Sequence, residues 1–437
     1  MSKKSETHTK TPTALLKKNK SVRDITEYTL TSNDLKVLYV HRPGSGVVTS
    51  DIVYLVGSRD EARGETGIAH MLEHMLFKPT HADMKRKTDS GAMHFERETG
   101  VILNANTWKD RTSYYFSYPV VHFDRALQIE AERMHGVVLN DKEFKPEQTN
   151  VLSEFDMYAG DEQFSLSVAM AGAAYESHTY GHETIGFRSD ISAYTTEKLN
   201  AFYAKYYAPN NAVLIIVGDV PESMMKTTVL KYFSGLKKSE ILTAPLRLVE
   251  PKQEGPRTVV VKRPSTTQVY ALGVKHDAFP TQSWFETMAI FDMLAGGTDS
   301  VLGKALIDTG LAVNIQTSLE PTREGNLGII FITLTKKTSH DDMHKRLRKI
   351  IDSLTVPTIT PYLKKTIAKA LTGEFETREN SLGYTSELVE YVSAHAWEQF
   401  FDSEKILRGI TPKSVKGRME ILFNEDNTTI GHFIGTK

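Results

Sequence analysis

Three side chains set within five residues, His70, Glu73 and His74, are the ones in this chain best placed to do chemistry. On a helix, positions i, i+3 and i+4 share one face, so all three polar groups converge on one patch. Their neighbours Ile68, Met71, Leu72, Met75, Leu76 and Phe77 predict a helix over Gly67–Phe77 whose other sides are buried. An uncompensated polar group in such a setting costs about 2–7 kcal/mol, and a divalent metal would compensate the whole set. The order His-x-x-Glu-His inverts the commoner His-Glu-x-x-His of zinc hydrolases. A catalytic zinc takes three protein ligands and leaves its fourth position to water. His70 and His74 supply two, while Glu73, next to a ligand, is better placed to act on the water. The plainer alternative is a pair of core histidines bonded to a glutamate.

The third ligand must come from elsewhere, and the segment from Lys145 to Phe155 offers it. Pro146 suits a first helical turn. Glu147 and Glu154 are seven apart, which at 3.6 residues per turn leaves them within about 20° of each other. One of the two can ligate the metal and the other can brace a ligand histidine. An exposed acidic pair is usually a solvated face, but here a ligand is missing and nothing nearby fills the position as well. With these parts, zinc lowers the pKa of its water from ~15.7 toward ~7, and Glu73 accepts the proton and returns it to a leaving amine. The absence of cysteine excludes a thiol nucleophile, and no serine-centred elbow is present. The reaction expected is peptide-bond hydrolysis.

The chain resembles the pitrilysin/insulinase family of zinc peptidases, the group that includes the mitochondrial processing peptidases. The resemblance is carried by the motif, by Val56–Glu61 leading into Gly67–His70, and by Leu103-Asn-Ala-Asn-Thr107 with Asp110 and Ser113–Tyr115. It continues through His178–His182, Gly186 and Phe202–Asp219. It implies His70, His74 and Glu154 as zinc ligands, Glu73 as general base and Glu147 as the supporting acid. The interval from His74 to Glu154 is slightly longer than the family's, which points to an insertion in Ala82–Gly91. It also implies an α+β fold of two similar α/β-roll domains, each a mostly antiparallel sheet packed with helices, together forming half of a clamshell chamber.

With 437 residues, two to three domains are expected. A net charge of −1 suggests neither a nucleic-acid nor a membrane partner. Residues 1–25 read as a disordered basic tail, without the apolar core of a signal or the arginines of a mitochondrial presequence. Together with the absence of cysteine, this points to the cytoplasm. Residues 26–236 form the expected zinc-bearing domain, 237–255 a linker and 256–437 a homologous, metal-free domain. In the first half, strands are expected at Leu35–Tyr39, Thr49–Val56 and Ala212–Val217, and helices at Phe123–Leu139, Lys145–Met157 and Thr196–Tyr206. The second half repeats the layout, though sequence identity is too weak to prove a repeat.

His340 and His344 imitate the motif's spacing but start a polar helix with Asp341 and Asp342, which reads as a solvated N-terminus. The family's arginine and tyrosine that help hold substrate fall, by the resemblance, at Leu306 or Ile307 and at Val313. Neither position can donate a hydrogen bond. The expected partners are therefore a peptide substrate and a second homologous subunit supplying that grip, in a heterodimer or otherwise a homodimer. The strand carrying Asn104 and Ala105 could add an extended peptide to its edge, with Asn104 beside the scissile bond. A presequence-processing subunit and an inactive structural subunit are the alternatives.

Overall fold

The computed structural model describes residues 15–86, 91–240 and 249–436. Seven strands build the first sheet: β1 (Leu16–Val22), β2 (Ile25–Leu30), β3 (Lys36–His41), β4 (Val47–Tyr54), β5 (Ile102–Thr107), β6 (Thr112–Pro119) and β7 (Ala212–Gly218). Five build the second: β8 (Arg257–Pro264), β9 (Gln268–Lys275), β10 (Ala312–Ser318), β11 (Leu327–Leu334) and β12 (Thr428–Thr436). The spatial orders are β1-β2-β3-β7-β4-β6-β5 and β10-β11-β9-β12-β8. Beyond the β1–β2 addition, both sheets follow one plan. The first strand pairs parallel with the fifth, and every other pairing is antiparallel. The chain is thus a duplicated α+β fold, a relation visible in strand order where sequence identity is too faint to carry it.

Each sheet is covered on one face by a helix from the opposite half. Ser381–Ser393 packs on β4 and β7, and Glu162–Ala174 packs on β8 and β12. Burial on both faces explains why β7 reads Ala-Val-Leu-Ile-Ile-Val-Gly without alternation. One face of the first sheet (Val37, Tyr39, Ile52, Leu214, Ile216) packs under the helices of its own half. The other (Leu38, Val40, Val53, Val213, Ile215) joins the core of the second half. Gly431 lies against Met170, where any side chain would collide, so glycine lets the crossing helix approach β12.

Several expectations need correction. Of the 1–25 tail, residues 1–14 lie outside the described residues, but Leu16–Val22 is an ordered edge strand paired antiparallel with β2. Its exposed Lys17, Lys18 and Lys20 are the charges by which an edge strand avoids further pairing. The Pro146 helix begins a turn earlier, at Asp141, where Asn140 caps it by accepting from the Glu143 N–H, so Pro146 lies inside rather than at the start. The helix start is exposed at Asp341 and Asp342, but His340 and His344 are half-buried. His340 Nε2 meets Gln268 Oε1 at 3.2 Å, its ring lies 4.8 Å from His432, and His344 Nδ1 pairs with the Tyr270 hydroxyl at 2.8 Å. Within Ala82–Gly91 the helix His81–Arg86 ends before residues 87–90, which lie outside the described residues. So do 241–248 of the 237–255 segment. Its remainder is tied to the first half by Glu250, which accepts from the N–H groups of Glu176, Ser177 and His178.

Candidate metal centre

The helix Ile68–Met75 buries Ile68, Ala69, Met71, Leu72 and Met75, leaving His70, Glu73 and His74 half-buried on the remaining face. Its start is fixed by Gly67, whose φ of 88° suits glycine and whose α-carbon is packed against the Ile185 carbonyl. The Glu61 carboxylate, wholly buried, accepts from Gly67 N (2.8 Å) and Ala69 N (3.0 Å), and meets His182 Nε2 at 3.0 Å. An anion there satisfies orphan donors and opposes the positive end of the helix dipole. Burial nonetheless pushes the Glu61 pKa up, against the pull of His182.

The helix Asp141–Ala159 runs alongside and brings both its glutamates to the motif. Glu154 Oε2 lies 3.5 Å from His74 Nε2 and 3.8 Å from His70 Nε2. These three side chains are the one group among the described residues whose ligand atoms all lie within 4.8 Å of one another. Zinc bonds of about 2.0–2.1 Å in tetrahedral array set ligand atoms about 3.3 Å apart, so the donor set and its spacing fit that ion. Glu147 Oε2 lies 3.4 Å from His74 Nδ1, and its Oε1 pairs with Lys78. The second acid thus touches the ring nitrogen that faces away from Glu154. On β5, the Thr107 hydroxyl donates to Glu73 Oε2 at 2.6 Å.

Titration reflects this crowding. Burial, with His74 alongside, pushes the His70 pKa down to about 4. Burial also disfavours His74 as a cation, but the carboxylates of Glu154, Glu73 and Glu147 outweigh it and hold its pKa above the ordinary value. Burial lifts Glu73, partly opposed by Thr107 and His74. Glu154 is held low, chiefly by its bond to His74. For Glu147 burial acts upward, but Lys78, Asn150 and His74 together bring it below the usual carboxylate range.

Asn104 is exposed on β5 and its side-chain oxygen accepts from the Ala105 N–H at 2.8 Å. Among the described residues β5 is the outermost strand of its sheet and pairs with β6 alone. In an antiparallel ladder, backbone groups of alternate residues point outward. The Ala105 N–H, bonded to its neighbour's side chain, is one that faces the open edge. Val313, 63% exposed on β10, brings no polar group, and Leu306 is buried. Thr107, Lys78 and Glu61 were not assigned roles from sequence. Lys78, four residues past His74 on the motif's face, carried a spacing signal; Thr107 and Glu61 meet their partners only through the fold.

Two family models match this chain, one described as Insulinase (Peptidase family M16) over residues 36–187 and one as Peptidase M16 inactive domain over residues 193–363. The chain belongs to the pitrilysin/insulinase M16 family. It is 34% identical to the zinc protease PqqE of Helicobacter pylori over 267 residues, 60% of this chain and 59% of that protein. It is 29% identical to a zinc protease of Mycobacterium leprae over 299 residues, 65% of this chain and 64% of that protein. The matched region is less than two thirds of either relative's length. Among solved structures, a protease from Helicobacter pylori superimposes with a TM-score of 0.86 at 25% identity, covering 96% of this chain and all of that one. The periplasmic protease PqqL of Escherichia coli shares the fold with a TM-score of 0.74 at 17% identity, over 96% of this chain and 48% of that one. In this M16 chain the insulinase match contains the motif, and the match described as inactive begins after it.

Proposed function

We propose that this chain is the metal-bearing subunit of a zinc endopeptidase that hydrolyses peptides or unfolded segments. The observation that carries the reading is the convergence of His70, His74 and Glu154 with Glu73 on the same helical face. The two histidines through Nε2 and Glu154 through Oε2 would hold the ion. Bound there, zinc would polarise the scissile carbonyl and bring the pKa of a water from ~15.7 toward ~7.

The chain's own residues do the rest. Glu73 takes the proton of the attacking water and delivers it to the leaving amine, a task suited to a carboxylate whose pKa burial has raised. Glu147, held by Lys78, orients the His74 ring through Nδ1, as carboxylates behind ligand histidines do. The open edge of β5 receives the substrate as an added strand, the Ala105 N–H and the Asn104 carboxamide becoming its partners. Edge pairing reads backbone rather than side chains, so sequence preference is modest.

A second homologous chain completes the chamber and supplies the substrate grip that Val313 and Leu306 do not provide. The reading places the chain in the cytoplasm, supported by its lack of cysteine; no helix among the described residues is long and apolar enough to cross a membrane. The test is hydrolysis of an internally quenched peptide by the purified, zinc-loaded chain, alone and with its partner, with Glu73→Gln as blank. Cleavage that requires both partner and Glu73 is expected. Cleavage by the chain alone would remove the obligatory partner, and cleavage surviving Glu73→Gln would remove the mechanism.

A further inference from the structure

Within the described residues, the Thr107 hydroxyl provides the one hydrogen bond to the Glu73 carboxylate, at 2.6 Å. It engages Oε2 and leaves Oε1 unbonded. A glutamate has three rotatable bonds, and in mid-helix its head group has no other tether. Thr107 therefore decides which way the base faces. Thr107 is also the last residue of β5, the strand whose open edge is available for pairing. Backbone direction repeats every second residue along a strand. The outward N–H of Ala105 thus puts the backbone groups of Thr107 on the open edge as well.

The duplicated half supplies the control. β10 occupies the place of β5, and Asn314-Ile315-Gln316-Thr317 echoes Asn104-Ala105-Asn106-Thr107. Asn314 clips the Ile315 N–H at 2.9 Å just as Asn104 clips Ala105. Thr317, at the same spacing from its asparagine as Thr107, is exposed, and among the described residues its hydroxyl bonds no carboxylate. The clip is common to both edges; the hydroxyl bond occurs only where there is a base to hold.

We infer that Thr107 is the positioning residue of Glu73, and that it makes the orientation of the base depend on what is paired along β5. A peptide long enough to bond Ala105 and Thr107 immobilises the end of the strand, and with it the hydroxyl that aims Glu73. Binding energy from residues remote from the scissile bond is thereby expressed in kcat rather than in KM. The inference rests on the peptidase reading above.

The experiment uses the zinc-loaded full chain with whatever partner activity requires, and a series of internally quenched peptides from a tetrapeptide upward. Three quantities are read for wild type, Thr107→Val, Thr107→Ser and Thr107→Ala: kcat and KM, zinc affinity by chelator competition, and Tm. In wild type, kcat should rise about 10-fold along the series while KM changes less. Thr107→Val should lower kcat for the longest peptide about 10- to 100-fold and abolish the length dependence, with KM within about 3-fold. Zinc affinity should stay within about 2-fold, and Thr107→Ser should restore both rate and length dependence to within about 3-fold. Thr107→Ala serves if the valine variant fails to fold. The inference is overturned if the hydroxyl-free variants keep wild-type kcat, if serine does not rescue, or if zinc affinity falls in step with rate. Wild type without Glu73-dependent hydrolysis would overturn the peptidase reading and this inference together; wild-type activity with an indifferent Thr107 would overturn this inference alone.

Discussion

Strands β3–β7 and β8–β12 are built to one plan, yet the helix that follows the second strand differs completely between them. In the first half Ile68–Met75 turns two imidazoles toward the helix Asp141–Ala159 and a carboxylate toward Thr107 of β5. In the second half Gln282–Ala295 stands in the same place of the chain order and buries Trp284, Phe285, Ala289, Ile290, Phe291, Met293 and Leu294. The fold is satisfied by an apolar helix there. The polar face of the first helix, where burial pushes the His70 pKa down and the Glu73 pKa up, is therefore not a requirement of packing. The comparison separates what the architecture needs from what the site needs.

The sharpest way to break this comparison is at the ligands. Glu154→Ala or His74→Ala should reduce peptide hydrolysis to the blank while the far-ultraviolet circular dichroism stays native, because the second half shows the fold can do without these groups. A variant that loses helical signal along with activity would make the polar face structural after all. The converse substitution is Leu294→Ala, a wholly buried side chain in the counterpart helix. It should lower unfolding free energy by about 2–5 kcal/mol in urea titration and leave zinc affinity unchanged.

Glu147→Gln should be milder than loss of a ligand. It keeps the shape but weakens the hold on His74 Nδ1, and zinc affinity should fall about 10- to 100-fold in chelator competition. An unchanged affinity would leave Glu147 as a partner of Lys78 only. The two edge strands give a smaller and more discriminating test. Asn104→Ala and Asn314→Ala each remove one clip of a backbone N–H, and each should lower stability by about 0.5–1.5 kcal/mol. Only Asn104→Ala should also lower kcat/KM, by about 10-fold. Equal kinetic effects at both edges would mean that Asn104 has no special relation to substrate.

How much of this was legible in the sequence depended on whether partners lay at helical spacing. His70, Glu73 and His74 announce themselves because polar groups at i, i+3 and i+4 interrupt an apolar run. Glu147 and Glu154 do so because seven residues close on two helical turns. The Thr107–Glu73 bond spans 34 positions and two different elements, and no periodicity encodes it. β1 escaped notice because lysines that guard an edge look like those of an unfolded tail. Pro146 misplaced the start of its helix because proline is only most common, not confined, to the first turn. The duplication was legible in the order of the elements but could not be proved from residue identity, since packing constrains strand order and apolar character far more than identity.

The most direct test of the central claim, that a metal centre is assembled by the first half alone, is zinc content per chain by elemental analysis after dialysis. Wild type should hold one zinc, His74→Ala and Glu154→Ala none, and a variant with both His340 and His344 changed to alanine one. Zinc retained by the His74 and Glu154 variants, or lost with the second-half histidines, would contradict the account.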